Sequence, residues 1–570
     1  VIVTATRTLQ RIDETLASVI VIPREDIERS QAMDVAELLR FHSGLEIARN
    51  GGPGQATSLF IRGTESNHAL VMVDGVPINP GTIGGAALQH IQPELIERIE
   101  VVKGPLSTLY GSDAIGGVVN IITRRLEEGL QVQASVEAGS YDTRTLSATV
   151  QAAGAGGRAG AMVSRFDTEG FPTREGSEID QGYDNRSLNA YAGTDLGPIE
   201  VEASHWQAQG RVEYLGFLLE PQDQDFRNSV SVLTLRARPA QLWTSTLKLS
   251  HMIDEIDQNQ SRDFAHTRRN MLDWQNDVGL GEHHLVTAGL VLSREHTESL
   301  VLSGPGFDVD TTVNAVYLQD NAEYGDHGVQ LAWRMTDHES FGRHHTWNLA
   351  YGFQATSRTR LLASLGTAFR APDSTDRFGF GGNPDLEPET SHNVELGVRH
   401  QIDPQQSVAL SAFQNRIDNL IVFTVSEAPQ GRVENIGRAR IRGLEAEYEG
   451  RWGPWQARLS ALIQDPKDLD TGELLPRRAR RSLTALLAYA TERYALSADF
   501  LAQSRRKDSN FSDEFMAGYG LVNLTGQVHL GKGWTLQGRI ENLFDKDYEL
   551  AAGFNTPERS YVVGLRYALK

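Results

Sequence analysis

From about Leu126 to Lys570 the chain is written with a period of two. In "YVVGLRYAL", Tyr561, Val563, Leu565, Tyr567 and Leu569 fall on one face of an extended strand; Val562, Gly564, Arg566 and Ala568 fall on the other. "SHNVELGVRH" sets Val394, Leu396 and Val398 against Asn393, Glu395 and Gly397 in the same way. The connections are alternately short and long: "DPQQ" (403–406) and "GKG" (531–533) are brief, whereas "DKDYELAAGFNTPER" (545–559) is long and polar. A strand with one apolar and one wet face must cover the apolar one. A soluble sandwich covers it with a second sheet, but it rarely needs so many strands with such unequal turns. A barrel in a membrane needs both features: apolar residues toward lipid, short turns at one rim, long loops at the other. About 445 residues at roughly 20 per strand and turn give on the order of 22 strands. The predicted fold class is an all-β transmembrane barrel of antiparallel strands. A barrel so wide leaves a hole unless something fills it.

The first part of the chain has the composition of a filler. "DVAELLRFHSGLEI" (34–47) predicts a short amphipathic helix capped by Asp34, with Val35, Leu38 and Leu39 on one face and Gly44 as its stop. "SLFIRG" and "HALVMVDGVPIN" predict strands, the second folded on a tight Asp74-Gly75 turn. "ELIERIEVVKGP" adds a helical turn and a strand, and "YGSDAIGGVVNIITRR" a glycine-rich turn and a last strand. An α+β plug domain inside the lumen is the expectation. The opening "VIVTATRT" is β-prone and followed by a polar stretch. It predicts either the first strand of the nearest sheet or a strand that awaits another protein's sheet edge.

Composition removes several function classes. The chain has 570 residues and a net charge of −20, so it has no global basic field to attract nucleic acid. It contains no cysteine, which excludes disulfides, zinc–thiolate and iron–sulfur sites and thiol nucleophiles. No apolar run is long enough for a membrane-spanning helix, and Val1–Thr8 lacks the basic start and apolar core of a secretory signal. There is no Gly-x-Ser-x-Gly elbow, His-Glu-x-x-His helix or phosphate-cradling loop; the glycines of "SDAIGGVVN" precede a strand. Carboxylates are plentiful enough for a glycosidase-like pair, but no pattern singles one out, and an enzyme is not expected.

In order and spacing, several motifs resemble the TonB-dependent outer-membrane receptors. In the plug these are "DVAELLRFHSGLEI", "FIRGTESNHALVMVDGVPIN" and "IERIEVVKGPLSTLYGSDAIGGVVNIITRR". In the barrel they are "FRAP" (369–372), "GNPDLEPETSHNVELG" (382–397), "NIGRARIRGLEAEYEG" (435–450) and "ENLFDKDYE" (541–549). The resemblance covers essentially the whole chain. "NGGPGQATSLFIRGTESNHALVMVDGV" and "RGLEAEYEG" look most like the cobalamin (vitamin B12) transporter branch, though siderophore receptors share much of the plug pattern. The implied organisation is a TonB box and start of tether at 1–8, a plug at 9–125 and a transmembrane barrel at 126–570. The implied function is TonB-dependent import of cobalamin or another corrinoid across the outer membrane of a Gram-negative bacterium, powered by the inner-membrane TonB complex. A ferric-siderophore receptor is the alternative, with a passive channel or a phage or bacteriocin receptor behind it.

The resemblance also implies roles for residues. Val1, Ile2, Val3, Thr4 and Ala5 look like the TonB box, where backbone pairing with the periplasmic domain of TonB needs little from side chains. Ligand would sit on the plug apex, on the loops 50–58 and 79–89; Gln55, Ala56, Thr57, Asn79, Thr82, Ile83 and Leu88 are the candidates, with glycines allowing close approach. Arg62 and Lys103 of the plug would meet Glu395 and Glu445 of the barrel. No cofactor is required. Calcium in external loops would fall to Glu178, Asp180, Asp184, Asp223 and Asp225, but a solvated acidic loop is the favoured reading. Haem is disfavoured, because the interval 373–382 holds no histidine and His68, His90, His344 and His345 are scattered. Other implied partners are outer-membrane lipid and lipopolysaccharide and a periplasmic binding protein; the implied state is a monomer. One departure stands out: Leu569 and Lys570 occupy the end where family barrels carry an aromatic residue.

Overall fold

The computed structural model describes residues 2–3, 7–8, 10–216, 218–301, 304, 306–424, 431–511 and 514–569. Twenty-two antiparallel strands, from Gly129–Gly139 to Ser560–Leu569, close into one barrel. The first and last strands pair with Val132 opposite Leu569 and Gly139 opposite Val562. Closure leaves no barrel strand with an unpaired edge, as hydrocarbon demands. At one rim the strands join by tight turns, as between Ala240 and Trp243, Tyr324 and His327, and Trp452 and Trp455. At the other rim the connections are long, as from Arg370 to Glu389 and from Glu541 to Ser560. The period of two is the period of the wall. Leu444 is 63% exposed on the outer face, while Glu445 beside it is buried in the lumen. Of the eight tryptophans, all but Trp206 stand exposed; Trp243, Trp452, Trp455 and Trp534 mark the short-turn rim, an aromatic girdle at one interface.

The lumen holds the N-terminal region. Its mixed five-stranded sheet runs, in spatial order, Ser18–Pro23, Ile96–Lys103, Gly117–Thr123, Ala69–Val73 and Val76–Pro77. Asp74 and Gly75 make the expected tight turn at φ 51° and 81°, and the Asp74 carboxylate accepts from Thr123 N and Oγ1. The helix predicted over 34–47 is shorter, Val35–Arg40; Asp34 caps it by accepting from Glu37 N at 2.9 Å. Leu45–Arg49 instead forms a hairpin strand with Thr57–Ile61, because its residues bury fully against the core and a strand pairs their backbone. Gly44 does not stop the helix but turns the chain at φ +73°, where an added Cβ would lie 3.1 Å from Glu445 Oε1.

The plug meets its container asymmetrically. On one side, plug residues such as Ile78, Leu88 and Ile91 share a continuous apolar core with Phe166, Tyr183, Trp206 and Phe226 of the strands between Gly157 and Ala240. On the far side, the strands from Glu389 to Gln503 face the plug mainly with charge, and Ile115 is the plug's member of the apolar cluster there. If the outer face is lipid-covered, quenchers carried on lipid acyl chains will suppress most of the tryptophan fluorescence. A Trp206→Phe variant will lose little of that quenchable signal, whereas a signal insensitive to lipid quenchers would refute the assignment of the outer face.

Candidate functional site: an apical cavity, a charged wall and a clamped N-terminal strand

A cavity of about 570 Å³ lies between the plug apex and the long-loop rim. Plug residues 54–59 and 83–90 floor it, and Arg174, Tyr214, Gln224 and Phe226 wall it. Of the candidates read from sequence, Gln55, Ala56, Thr57, Ile83 and Leu88 line it. Asn79 and Thr82 do not, which corrects that expectation. The Asn79 amide is consumed inside the plug, accepting from Val71 N and donating to the carbonyls of Ala69 and Gly84. Thr82 is buried against the barrel, its N–H donating to Thr267 Oγ1 at 3.3 Å. Gln55 donates to the Glu213 carbonyl at 2.6 Å, so its side chain ties floor to wall. Gly85 is open: a Cβ there meets nothing within 4 Å.

The wall residues come from loop ends with no motif. His90 stacks on Phe226 at 3.6 Å between ring centres and shares a hydrogen bond with Tyr183 OH at 3.0 Å. Burial, with Arg49 nearby, lowers the His90 pKa to about 3, so the ring is neutral and serves as a flat surface. Arg174 and Phe554 of two different long connections meet over the cavity, guanidinium on ring at 4.4 Å. The cavity therefore offers flat, largely neutral walls and small residues on its floor, which suits a broad planar ligand.

The five carboxylates considered for calcium do not converge. Asp184 and Asp225 sit in register on either side of Arg211, and the guanidinium bonds Asp225 at 2.9 Å. Asp223 accepts from Asn259, and Glu178 and Asp180 lie on the exposed loop beyond. A cation at the centre is the wrong charge for a metal site. Among the described residues no group of three or more His, Cys, Asp or Glu is placed to hold a metal.

Below the apex, plug and barrel meet through buried charge. Arg62 donates to Glu395 Oε2 and Glu445 Oε2, both at 2.9 Å, and its guanidinium lies 4.5 Å from the Phe413 ring centre. Lys103 reaches Glu445 at 2.7 Å and Glu447 at 2.8 Å. Burial alone would lower the Lys103 pKa, but Glu445 and Glu447 more than offset it and raise it. The structure thus brings the four expected residues together and adds Glu447. Three further contacts were not read from sequence. Asp26 bonds Arg458 at 2.9 Å, Glu65 bonds Arg478 at 2.5 Å, and His68 meets Glu389 at 2.9 Å beside Arg370. Arg370 and Glu389 lie inside barrel motifs and Glu65 and His68 inside a plug motif, which was the available signal; Asp26, Arg458 and Arg478 lie in none.

At the short-turn rim, Ile2–Val3 pairs antiparallel with Gln10–Arg11 of its own tether. Val1, Thr4 and Ala5 of the expected TonB box lie outside the described residues. Arg7 fastens the segment. It donates to Asp273 at 2.7 Å, Tyr317 OH at 2.9 Å and the Leu109 carbonyl at 2.6 Å, and its own carbonyl accepts from Gln275 at 2.9 Å. Burial would lower the Arg7 pKa, but Asp273, Tyr317 and Tyr110 more than offset it, so the guanidinium stays charged. A two-residue ladder is marginal by itself, so this clamp decides where the strand lies.

Comparison with known proteins identifies the architecture. The TonB-dependent receptor plug domain matches residues 11–118, and the TonB-dependent receptor-like β-barrel matches residues 131–543. The chain belongs to the TonB-dependent receptor family. It is 30% identical to the vitamin B12 transporter BtuB of Photobacterium profundum, across 99% of this chain and 95% of that protein. It is also 30% identical to BtuB of Vibrio vulnificus, across 97% and 91%. Among solved structures, a mutant of the ferric enterobactin receptor PfeA from Pseudomonas aeruginosa superposes over 100% of both chains with a TM-score of 0.85 at 18% identity. The siderophore receptor PirA from Acinetobacter baumannii gives 0.84 at 18%, covering 97% and 98%. The receptor is therefore an outer-membrane β-barrel of a family whose members bind ligand and interact with TonB.

Two outcomes follow from this geometry. Glu445→Gln leaves Arg62 and Lys103 short of a buried partner and loosens the plug by about 3–5 kcal/mol, to be read as ion conductance through planar bilayers that the intact receptor blocks. Arg7→Ala or Asp273→Asn releases Ile2–Val3. In this cysteine-free chain, thiol labelling of a Val3→Cys probe rises about tenfold, as the loss of about 1.4 kcal/mol of clamping requires; unchanged labelling would show that the clamp holds nothing.

Proposed function

We propose that this receptor imports a corrinoid across the outer membrane, taking it in the apical cavity and handing its N-terminal strand to TonB. The observation that carries this reading is the near full-length 30% identity to two vitamin B12 transporters; the cavity floored by Ala56, Gly85 and Leu88, with the flat His90–Phe226 stack beside it, supports it. The siderophore receptors resemble the chain at 18% identity and speak for the fold alone.

In this mechanism the long loops admit the ligand, and the His90–Phe226 stack presents a flat surface to it. Gln55, tied to the wall through the Glu213 carbonyl, senses its arrival because floor and wall share that bond. The Arg7 clamp lies at the opposite rim, where the strand must leave Gln10–Arg11 to pair with a partner's sheet edge. Under pull, the charged wall is the side that parts: separated carboxylates and guanidiniums regain water, whereas exposed apolar surface does not.

Purified receptor in detergent will bind cyanocobalamin at micromolar concentration or below. Gly85→Phe, which projects a ring into open space, will abolish that binding without unfolding the barrel. Deletion of residues 1–5 will leave binding intact and stop uptake by cells. Absence of cyanocobalamin binding at micromolar concentration, with ferric-chelate binding in its place, would overturn the corrinoid reading.

A further inference from the structure

The wall of the apical cavity carries one acid. Among the described residues that line it, Asp254 is the sole carboxylate, and it is 5% exposed. It stands on Trp243–Gln258, in register with Asn228 of Pro221–Ala240. The two side chains form one rung of the lumen face. The rung toward the long-loop rim is Ile256 opposite Phe226, the ring on which His90 stacks. The rung on the other side is Met252 opposite Val230, both part of the apolar core shared with the plug. Each rung lies about 7 Å from the next along the strand. A carboxylate therefore sits where the cavity ends and the apolar core begins.

Burying a carboxylate costs free energy unless a cation or several hydrogen bonds meet it, and this one is poorly met. Asn228 Nδ2 donates to Asp254 Oδ2 at 2.6 Å, and among the described residues no ion pair reaches the carboxylate. Its neighbours across the sheet are turned elsewhere. Thr267, opposite Asp254 on the next strand, bonds Thr82 of the plug. Arg269, two residues on, donates to Glu295 and to the Asn79 carbonyl, both at 2.7 Å. Ala208, opposite Asn228 on the other flank, has no polar side chain to offer.

The same rung leaves an acceptor open. Asn228 is 8% exposed; its amide nitrogen is held by Asp254, and its Oδ1 is buried without a hydrogen-bond partner. On the cavity floor, Gln89 Oε1 is buried and unpartnered too. Donors on the same lining already have protein acceptors: Gln55 Nε2 reaches the Glu213 carbonyl, Gln258 Nε2 reaches Gln224 Oε1, and Thr57 Oγ1 reaches the Gln55 carbonyl. Asp254 and Asn228 also border a second cavity of about 10 Å³, bounded by Ile78, Ala87 and Trp206. They are flanked by space as well as by protein, so close packing does not account for the pair. What the rung lacks is an N–H donor.

We infer that Asp254 and Asn228 form the subsite that receives a primary carboxamide of the transported ligand. This rests on the corrinoid reading, because a corrinoid carries such groups around its ring. A –CONH2 group brings no charge and two N–H donors, one for the Asp254 carboxylate and one for Asn228 Oδ1. Its hydrolysed counterpart, –COO−, brings acceptors alone and sets a second negative charge against Asp254. The rung thus selects amide against acid. A site built to hydrogen-bond one group rejects the analogue that lacks it more strongly than an apolar pocket distinguishes shapes. The same carboxylate opposes polyanionic ligands at the inner end of the cavity.

The test measures binding to the full-length receptor in detergent, in mildly alkaline buffer that keeps carboxyl groups ionised. The ligands are cyanocobalamin and a panel of its monocarboxylic acids, in which each ring carboxamide in turn is hydrolysed. In wild type, one acid of the panel will bind about tenfold or more weakly than cyanocobalamin. Asp254→Asn removes the charge and offers an N–H in its place, and it will shrink that ratio to about threefold or less. Asp225→Asn, on the outward face of the neighbouring strand, will keep the wild-type ratio. Thermal unfolding separates recognition from architecture: Asp254→Asn will melt no earlier than wild type, because it loses a buried charge that no cation meets. A variant that fails to fold or melts well below wild type would show the carboxylate to be a structural tie, and would overturn the assignment. Acids that all bind alike in wild type, or an unchanged ratio in Asp254→Asn, would overturn the subsite and leave corrinoid binding standing. Absence of cyanocobalamin binding by wild type would overturn the corrinoid reading and this inference with it.

Discussion

Inside hydrocarbon no backbone N–H or C=O can be left without a partner. That constraint forces the sheet to close, and closure by the Val132–Leu569 register sets most of the rest. It converts the period of two into an apolar outer face and a polar lumen, puts the tryptophans where lipid meets water, and leaves a lumen too wide for side chains to fill. The lumen is then occupied by the chain's own first region, whose sheet could not stand in the hydrocarbon itself. Closure also turns loop length into direction: tight turns at one rim, long connections at the other.

The plug is retained by two kinds of force on two walls. Toward the strands between Gly157 and Ala240 it buries apolar side chains, a contact whose rupture exposes hydrocarbon to water. Toward the strands between Glu389 and Gln503 it makes ion pairs, with Arg62, Lys103, Glu65 and Asp26 each meeting an opposite charge on the wall. Buried pairs add little net stability because desolvation opposes their attraction, yet they fix position sharply. Such a plug is held in register on one side and can hydrate on that same side when pulled. Gly44, pressed against Glu445 at a backbone angle that favours glycine, shows how closely the turn is fitted to that cluster.

The apical cavity and the N-terminal strand lie at opposite rims. At the apex, His90 is uncharged, Asn79 is bonded within the plug, Gln55 holds the wall, and the Arg174 guanidinium lies on the Phe554 ring. At the base, Arg7 donates from Nε to the Leu109 carbonyl and from Nη1 to Asp273 and Tyr317. Between them lies the plug sheet, in which Ala69 and Val71 line the cavity and Lys103 reaches the charged wall.

Strand parity, the tight Asp74-Gly75 turn, the Asp34 cap and the meeting of Arg62 and Lys103 with Glu395 and Glu445 were all legible before any coordinates. Each rests on local rules, a period, a turn chemistry, or a motif whose order along the chain is informative. The short helix was overextended because Leu45–Arg49 carries an apolar pattern that serves a buried strand as well as a helix, and only pairing with Thr57–Ile61 decides between them. Asn79 and Thr82 lie beside the cavity-lining residues in the chain yet face away from the cavity, since which side of a loop is wet depends on what packs behind it. Of the carboxylates considered for calcium, Asp223 and Asp225 meet Arg211, a cation that strand register sets between Asp184 and Asp225. The sequence alone determined a lipid-facing cylinder with its own stopper, because hydropathy period is a local property of the chain. Only the tertiary structure decided which charges meet and which cavity remains, because those depend on registers between strands far apart in sequence.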